Sequence, residues 1–149
     1  MTVILFLIVL AVLIFVHELG HFLAARAFGI KVSEFALGFG PKLWGKTRGE
    51  TTYALNLIPF GGYVKIFGEN PDDESINGPD KARSILHKPK WQQVVVLCAG
   101  VLFNFIFAGI LIVIAFTAGV PASLDSYPEY ESRMADPHIA ITYVEPNSP

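Results

Sequence analysis

Residues 3–16 contain no polar side chain, and residues 94–120 contain only Cys98, Asn104 and Thr117 among otherwise apolar or glycine positions. These two runs constrain the fold more than any other feature. A globular core draws its apolar residues from one stripe of each helix, whereas an uninterrupted run of about 18 or more reads as a membrane span. Composition agrees: 52% of the 149 residues are hydrophobic and 16% charged, against about 25% charged in a soluble domain. Disordered, collagen-like and disulfide-scaffold classes are excluded. The single cysteine, Cys98, lies inside the second run, so no intrachain disulfide forms, and it reads as a small packing residue.

The first span cannot be residues 3–16 alone. Fourteen residues rise only about 21 Å, against a hydrocarbon core of about 30 Å. The helix must therefore continue through Val16-His17-Glu18-Leu19-Gly20-His21 to about Ala25, where Arg26 reaches the headgroups. That extension carries His17, Glu18 and His21 below the bilayer surface, His21 by about 8 Å and His17 by about 14 Å. Ala25-Arg26-Ala27 has the small-x-small form of a signal-peptide cleavage site. The start of the chain has no basic region, however, and three ionisable residues interrupt the apolar stretch, so a retained span is expected.

Ten of the eleven Lys and Arg residues fall between Arg26 and Lys90, and the eleventh is Arg133. The positive-inside rule places the 29–92 segment in the cytoplasm and both chain ends outside. The basic residues are interleaved with acids and form no patch, so no nucleic-acid partner is expected. Within that segment, Gly38-Phe39-Gly40-Pro41 and Gly45 mark a turn-rich stretch that exposes Phe39, Leu43 and Trp44. Residues 51–58 and 63–67 read as two strands of a hairpin around Pro59-Phe60-Gly61-Gly62. Residues 68–83 are expected to be polar, turn-rich and mobile. His87 reads as a solvated histidine, and Trp91 as an interfacial aromatic ahead of the second span. In that span Gly100, Asn104 and Ala108 form a small–polar–small stripe suited to helix packing.

His17-Glu18-x-x-His21 carries the chemistry. On a helix, positions i and i+4 stand about 40° apart, so both imidazoles face one way and can share a metal. Glu18 lies about 60° round from His21, placed to face a water without ligating the metal. Two imidazoles on zinc leave positions for a third protein ligand and a water. Zinc lowers the water's pKa, and a glutamate can then move its proton to a leaving amine. An unpaired ionised group near a span's centre costs about 2.5–3.5 kcal/mol even on the lenient insertion scale. Three such groups within five residues therefore need a partner such as a metal. A buried His/Glu relay in a metal or proton transporter is the rival of a different class. Asn104 lies at about the depth of His17. It either touches the substrate or the metal's surroundings, or bonds between helices.

The run Phe15-Val16-His17-Glu18-Leu19-Gly20-His21-Phe22 resembles the active-site helix of the site-2 protease family of intramembrane zinc metalloproteases, bacterial regulator-of-sigma-E protease type. Gly38-Phe39-Gly40-Pro41 resembles that family's membrane-dipping β-loop. Asn56-Leu57-Ile58-Pro59-Phe60-Gly61-Gly62-Tyr63-Val64-Lys65 resembles its hairpin segment, and Ala99-Gly100…Asn104-Phe105 its Gly-Pro-x-x-Asn-Phe helix motif, with Val101 in place of proline. Residues 138–149 resemble the opening strand of a PDZ domain. The resemblance implies His17 and His21 as zinc ligands, Glu18 as catalytic base, and the Gly61-Gly62 hairpin beside the substrate path. The family's third ligand is an aspartate in an Asn-x-x-Pro-x-Pro-x-Leu-Asp-Gly motif that this chain does not contain. Asp125 falls on the wrong side of the bilayer to replace it.

The chain is thus expected to be the N-terminal part of a longer, multi-pass inner-membrane enzyme. Its fold class is membrane α-helical, with a cytoplasmic, membrane-associated β-hairpin or loop. Residues 1–120 form part of the protease core: helix 1 over about 3–26, a β-rich loop over 29–92, and helix 2 over about 94–120. An extracytoplasmic linker over 121–137 and a truncated PDZ-like start over 138–149 follow. The implied activity is zinc-dependent cleavage of single-pass membrane proteins, anti-sigma factors or remnant signal peptides, with membrane lipid as the surrounding partner. The piece alone is expected to bind zinc poorly and to cut nothing. A proteolytically inactive scaffold of the same fold is the remaining alternative, and the sequence leaves the oligomeric state open.

Overall fold

A computed structural model describes residues 2–119. The element order is α1 (Thr2–Ala27), β1 (Val32–Arg48), β2 (Thr51–Ile66), α2 (Asp73–Asn77), two 3₁₀ turns (Lys81–Arg83 and Ile85–His87) and α3 (Lys90–Ala118). Cα packing divides the chain into two compact units, Met1–Val113 and Ile114–Pro149. The site described below lies in the first. The described part of the second is the end of α3 and Gly119, and the expected linker and PDZ-like start lie outside the described residues.

The two long helices meet the span requirement. The 26 residues of α1 and 29 of α3 rise about 39 and 43 Å, enough to cross a hydrocarbon layer of about 30 Å. Both expose apolar side chains on every side, among them Val3, Phe6, Leu97, Phe105 and Phe116. Helices apolar all round belong in lipid or in a protein core, and these two have little protein over them. α1 runs through the His-Glu-x-x-His stretch without a break, as the length argument requires. α3 begins at Lys90, a full turn before the apolar run. The Pro89 carbonyl accepts from the backbone N–H of Gln92 (2.9 Å) and Gln93 (3.2 Å), drawing Lys90–Gln93 into the helix. α3 also continues unbroken through Val101.

β1 and β2 pair antiparallel, but each strand folds back on itself. Residues Glu34, Phe35, Ala36 and Leu37 face Lys65, Val64, Tyr63 and Gly62 on one side. On the other side they face Thr52, Tyr53, Ala54 and Leu55, whose far neighbours are Thr47, Lys46, Gly45 and Trp44. The sheet therefore reads, edge to edge, 62–66, 34–37, 51–55 and 44–48. The expected hairpin between 51–58 and 63–67 does not form, because 34–37 lies between those two segments. A tight turn lies at Gly49-Glu50, and the chain also reverses direction between 37 and 44, in keeping with the turn-rich reading of that stretch. The folds in the strands sit at glycines with φ of +83° (Gly38), +84° (Gly40) and +104° (Gly61), a region that L side chains rarely enter. The buried Asn56 amide pins the first of these by donating to the Gly38 carbonyl at 2.9 Å.

The core gathers where the end of α1, the sheet, the second 3₁₀ turn and α3 meet. It contains Phe22, Ala25, Ile30, Val32, Phe35, Val64, Ile66, Ile85 and Val96. Phe35 makes edge or tilted contacts with Phe15, Phe22 and Tyr53 at 5.2–6.2 Å between centroids, which fixes the sheet against α1. Residues 68–83, expected to be mobile, are instead structured. Asp72 and Ser75 form a reciprocal capping box on α2. Lys31 pairs with Asp80 at 2.8 Å, and Arg83 with Glu50, tying the segment to the sheet. His87 is exposed, as expected of a solvated histidine. Cys98 is exposed among the described residues.

Candidate metal and catalytic site

Helix periodicity puts His17 and His21 on the same side of α1, and the fold turns that side towards α3. The two Nε2 atoms lie 3.2 Å apart, with the rings nearly perpendicular at 78° and their centroids at 4.8 Å. The Nδ1–H of His21 donates to the backbone carbonyl of Val96 at 2.7 Å. A proton on Nδ1 leaves the Nε2 lone pair free and aimed at its neighbour. On the other side of the pair, His17 Nδ1 lies 3.4 Å from the Asn104 side-chain amide.

Glycines make this approach possible. A Cβ on Gly100 would stand 2.4 Å from His21 Nε2 and 2.7 Å from His17 Nε2. One on Gly20 would stand 2.5 Å from the Ala99 carbonyl oxygen. α1 and α3 thus touch backbone to backbone at Gly20 and Ala99, with Gly100 directly beneath the imidazoles. Of the stripe read in the sequence, Gly100 and Asn104 face α1, whereas Ala108 is exposed. Val96 and Ala99, both buried, complete the contact.

The donor set suits a zinc ion. Two nitrogens bound at about 2.0–2.1 Å in a tetrahedron stand about 3.3–3.4 Å apart, close to the 3.2 Å between the two Nε2 atoms. The His21–carbonyl hydrogen bond is the outer contact that metal-bound histidines make. Among the described residues, no third His, Cys, Asp or Glu joins the pair to form a cluster of three. Glu18, half-buried on the next face of α1, lines a cavity of about 540 Å³ together with His21, Gly62–Ile66, Glu69, Asn70, Val96 and Leu97. Gly62 lets the sheet close on α1, since a Cβ there would meet Glu18 Cγ at 3.2 Å and the Ala36 carbonyl oxygen at 3.0 Å. The outer sheet segment, 62–66, forms one wall of this cavity.

Residues 5–144 match the sequence pattern of peptidase family M50. The chain belongs to that family. It is 44% identical over 117 residues, covering 78% of the chain and 23% of the relative, to a candidate zinc metalloprotease of Thermotoga maritima. Identity to a similarly named protein of Clostridium perfringens is 45% over 120 residues, 80% of the chain and 34% of the relative. For one of Fusobacterium nucleatum it is 43% over 133 residues, 89% of the chain and 36% of the relative. The chain spans about a quarter to a third of the length of these curated relatives. The M50 family is membrane-embedded, in keeping with the two apolar helices.

Four features of this M50 site were not read in the sequence. They are the Val96 carbonyl acceptor, the Gly100 floor beneath the imidazoles, the cavity residues Glu69 and Asn70, and the Asn56 pin at Gly38. The carbonyl acceptor carries no side-chain signal. The glycine was visible only as a small residue, and the other two depend on how the strands fold back.

Proposed function

We propose that this chain is the N-terminal part of a zinc-dependent intramembrane endopeptidase that cleaves single-pass membrane proteins in or near their membrane span. His17 and His21 hold the metal, a third ligand comes from a later segment of the full-length enzyme, and Glu18 is the catalytic base. The observation that carries this reading is the convergence of the two Nε2 atoms, 3.2 Å apart, beside a cavity that Glu18 also lines. When bound, zinc supplies Lewis-acid activation of water. Glu18 accepts the proton of the attacking water and delivers it to the departing amine. A transmembrane helix must unwind before its carbonyls can be attacked, and the edge segment 62–66 offers backbone donors and acceptors to an extended chain beside Glu18. The strand segments around it expose Phe39, Leu43, Trp44, Leu57 and Phe60, which suits a loop that dips into lipid.

The chain lies in the inner membrane with the 29–92 segment cytoplasmic and both ends outside. Substrates are of the anti-sigma factor or remnant signal peptide class, already trimmed on the outer side, and a PDZ domain beginning near 138 filters them. The test uses the full-length protein in detergent with a single-pass model substrate, comparing wild type with Glu18→Gln by product mass. A cut within the substrate's apolar span by wild type, reduced at least ~10²-fold in the variant, supports the reading. Equal cutting by both removes Glu18 from catalysis. Absence of cutting by zinc-loaded wild type across a panel of trimmed substrates overturns the protease assignment.

A further inference from the structure

If both Nε2 atoms of the imidazole pair are to carry free lone pairs, both rings must hold their proton on Nδ1. For His21 the structure shows how this is enforced, since its Nδ1 meets the Val96 carbonyl at 2.7 Å and a carbonyl can only accept. For His17 the neighbour is Asn104, whose side-chain nitrogen lies 3.4 Å from Nδ1. An amide N–H₂ facing an Nδ1–H would set two donors against each other. The same side chain holds an amide oxygen, Asn104 Oδ1, that is buried without a hydrogen-bond partner among the described residues. A half-turn of the amide exchanges the two atoms. The acceptor then faces the donor.

We propose that Asn104 is the positioning residue for His17: its side-chain oxygen accepts from His17 Nδ1–H, fixing the Nε2-free tautomer and the ring's orientation. The two imidazoles are thereby locked from opposite sides by two acceptors of α3, two turns apart in that helix, with Gly100 between them. This rests on the metal-site reading of His17 and His21 and concerns the metal-bound site, since without a cation two free Nε2 lone pairs 3.2 Å apart repel and one Nε2 would carry a proton to bridge the pair.

The test uses the full-length protein in detergent and has two readouts. Nitrogen-15 NMR of labelled histidine in the zinc-loaded protein reports which ring nitrogen of His17 binds the metal and which keeps a proton. Zinc affinity is measured by competition with a chromophoric chelator for wild type, Asn104→Leu and Asn104→Asp. The expected results are a wild-type His17 protonated at Nδ1, affinity lowered 10–100-fold in Asn104→Leu, and affinity kept within about threefold or increased in Asn104→Asp, which retains the acceptor. A wild-type His17 protonated at Nε2 overturns the proposal, and so does an unchanged affinity in Asn104→Leu, which would limit Asn104 to substrate contact or helix packing. An equal loss in Asn104→Asp and Asn104→Leu overturns it as well, because the amide N–H₂ would then be the group that matters. Failure of wild type to bind zinc refutes the metal-site reading and this proposal with it, whereas zinc bound equally well by wild type and Asn104→Leu refutes the part played by Asn104 alone.

Discussion

Gly100→Ala isolates the one position at which α3 lies directly against the imidazole pair. The new methyl would sit 2.4 Å from His21 Nε2 and 2.7 Å from His17 Nε2, against an ordinary contact of about 3.5 Å or more. Close to 1 Å of movement is therefore needed at both rings. Overpacking of this kind costs about 1–3 kcal/mol, and replacing a mid-helix glycine with alanine returns about 0.5–1 kcal/mol. The net penalty, about 0–2.5 kcal/mol, is too small to unfold two membrane-spanning helices. It falls on the rings themselves, which must turn away from each other or leave their rotamers at about 0.5–1.5 kcal/mol each. We therefore expect zinc affinity of the full-length protein to fall about 10–100-fold, equivalent to about 1.4–2.7 kcal/mol. Cleavage should fall with it, and helical content measured by circular dichroism should not change. Gly109→Ala is the control: it lies in the same helix with nothing among the described residues within 4 Å of its would-be Cβ, and should match or slightly exceed wild type. Wild-type zinc affinity in Gly100→Ala would refute the argument that these helices meet at the imidazoles.

Two further predictions concern the β-rich segment. Asn56→Ala strands the buried Gly38 carbonyl at a cost of about 1–3 kcal/mol, so limited proteolysis between residues 38 and 60 should speed up in the variant, and an unchanged rate would count against the pin. The second follows from the ion pairs holding the 78–88 segment. The Lys31 ammonium hydrogen-bonded to Asp80 holds that carboxyl below its ordinary range, and the Arg83 guanidinium does the same for Glu50. Depressed carboxylates contribute stability that is present above their unfolded values of about 4 and lost as pH falls through the lower folded values. The same contacts raise Lys31 and Arg83, whose contributions persist until pH climbs past the ordinary lysine and arginine ranges. Amide exchange of residues 78–88 should therefore be equally protected, relative to α1, between about pH 6 and 9, and lose protection below about pH 4. Protection that persists at pH 2–3 would show that apolar contacts such as Ile85 hold the segment without the ion pairs.

What was legible in the sequence is what short-range geometry dictates. An apolar run too short to cross a membrane forces α1 on through His17, Glu18 and His21, and the i, i+4 spacing then puts both imidazoles on one side whatever surrounds them. The depth match between Asn104 and His17 followed from counting rise per residue from the same membrane face, and the two side chains do meet. The sheet was misread for a reason of the same kind. Pro59-Gly62 has the composition of a turn, and composition signals a change of direction without naming the strand that comes alongside; here it is 34–37, a segment with no punctuation of its own. The polar stretch 68–83 looked mobile because its anchors, Lys31 and Glu50, lie far back in the chain, just ahead of β1 and in the turn between β1 and β2.

The sequence by itself determined two helices long and apolar enough to cross a membrane, the first carrying two histidines and a glutamate towards its end, because periodicity and hydropathy act over a few residues and need no partner. Tertiary structure decided which groups complete the site. His21 is held by a carbonyl 75 residues away, and His17 meets an amide 87 residues away. Whether such pairs meet is set by how closely two backbones approach, and that depends on Gly20, Ala99 and Gly100 packing against each other and against the rings, which no local pattern encodes.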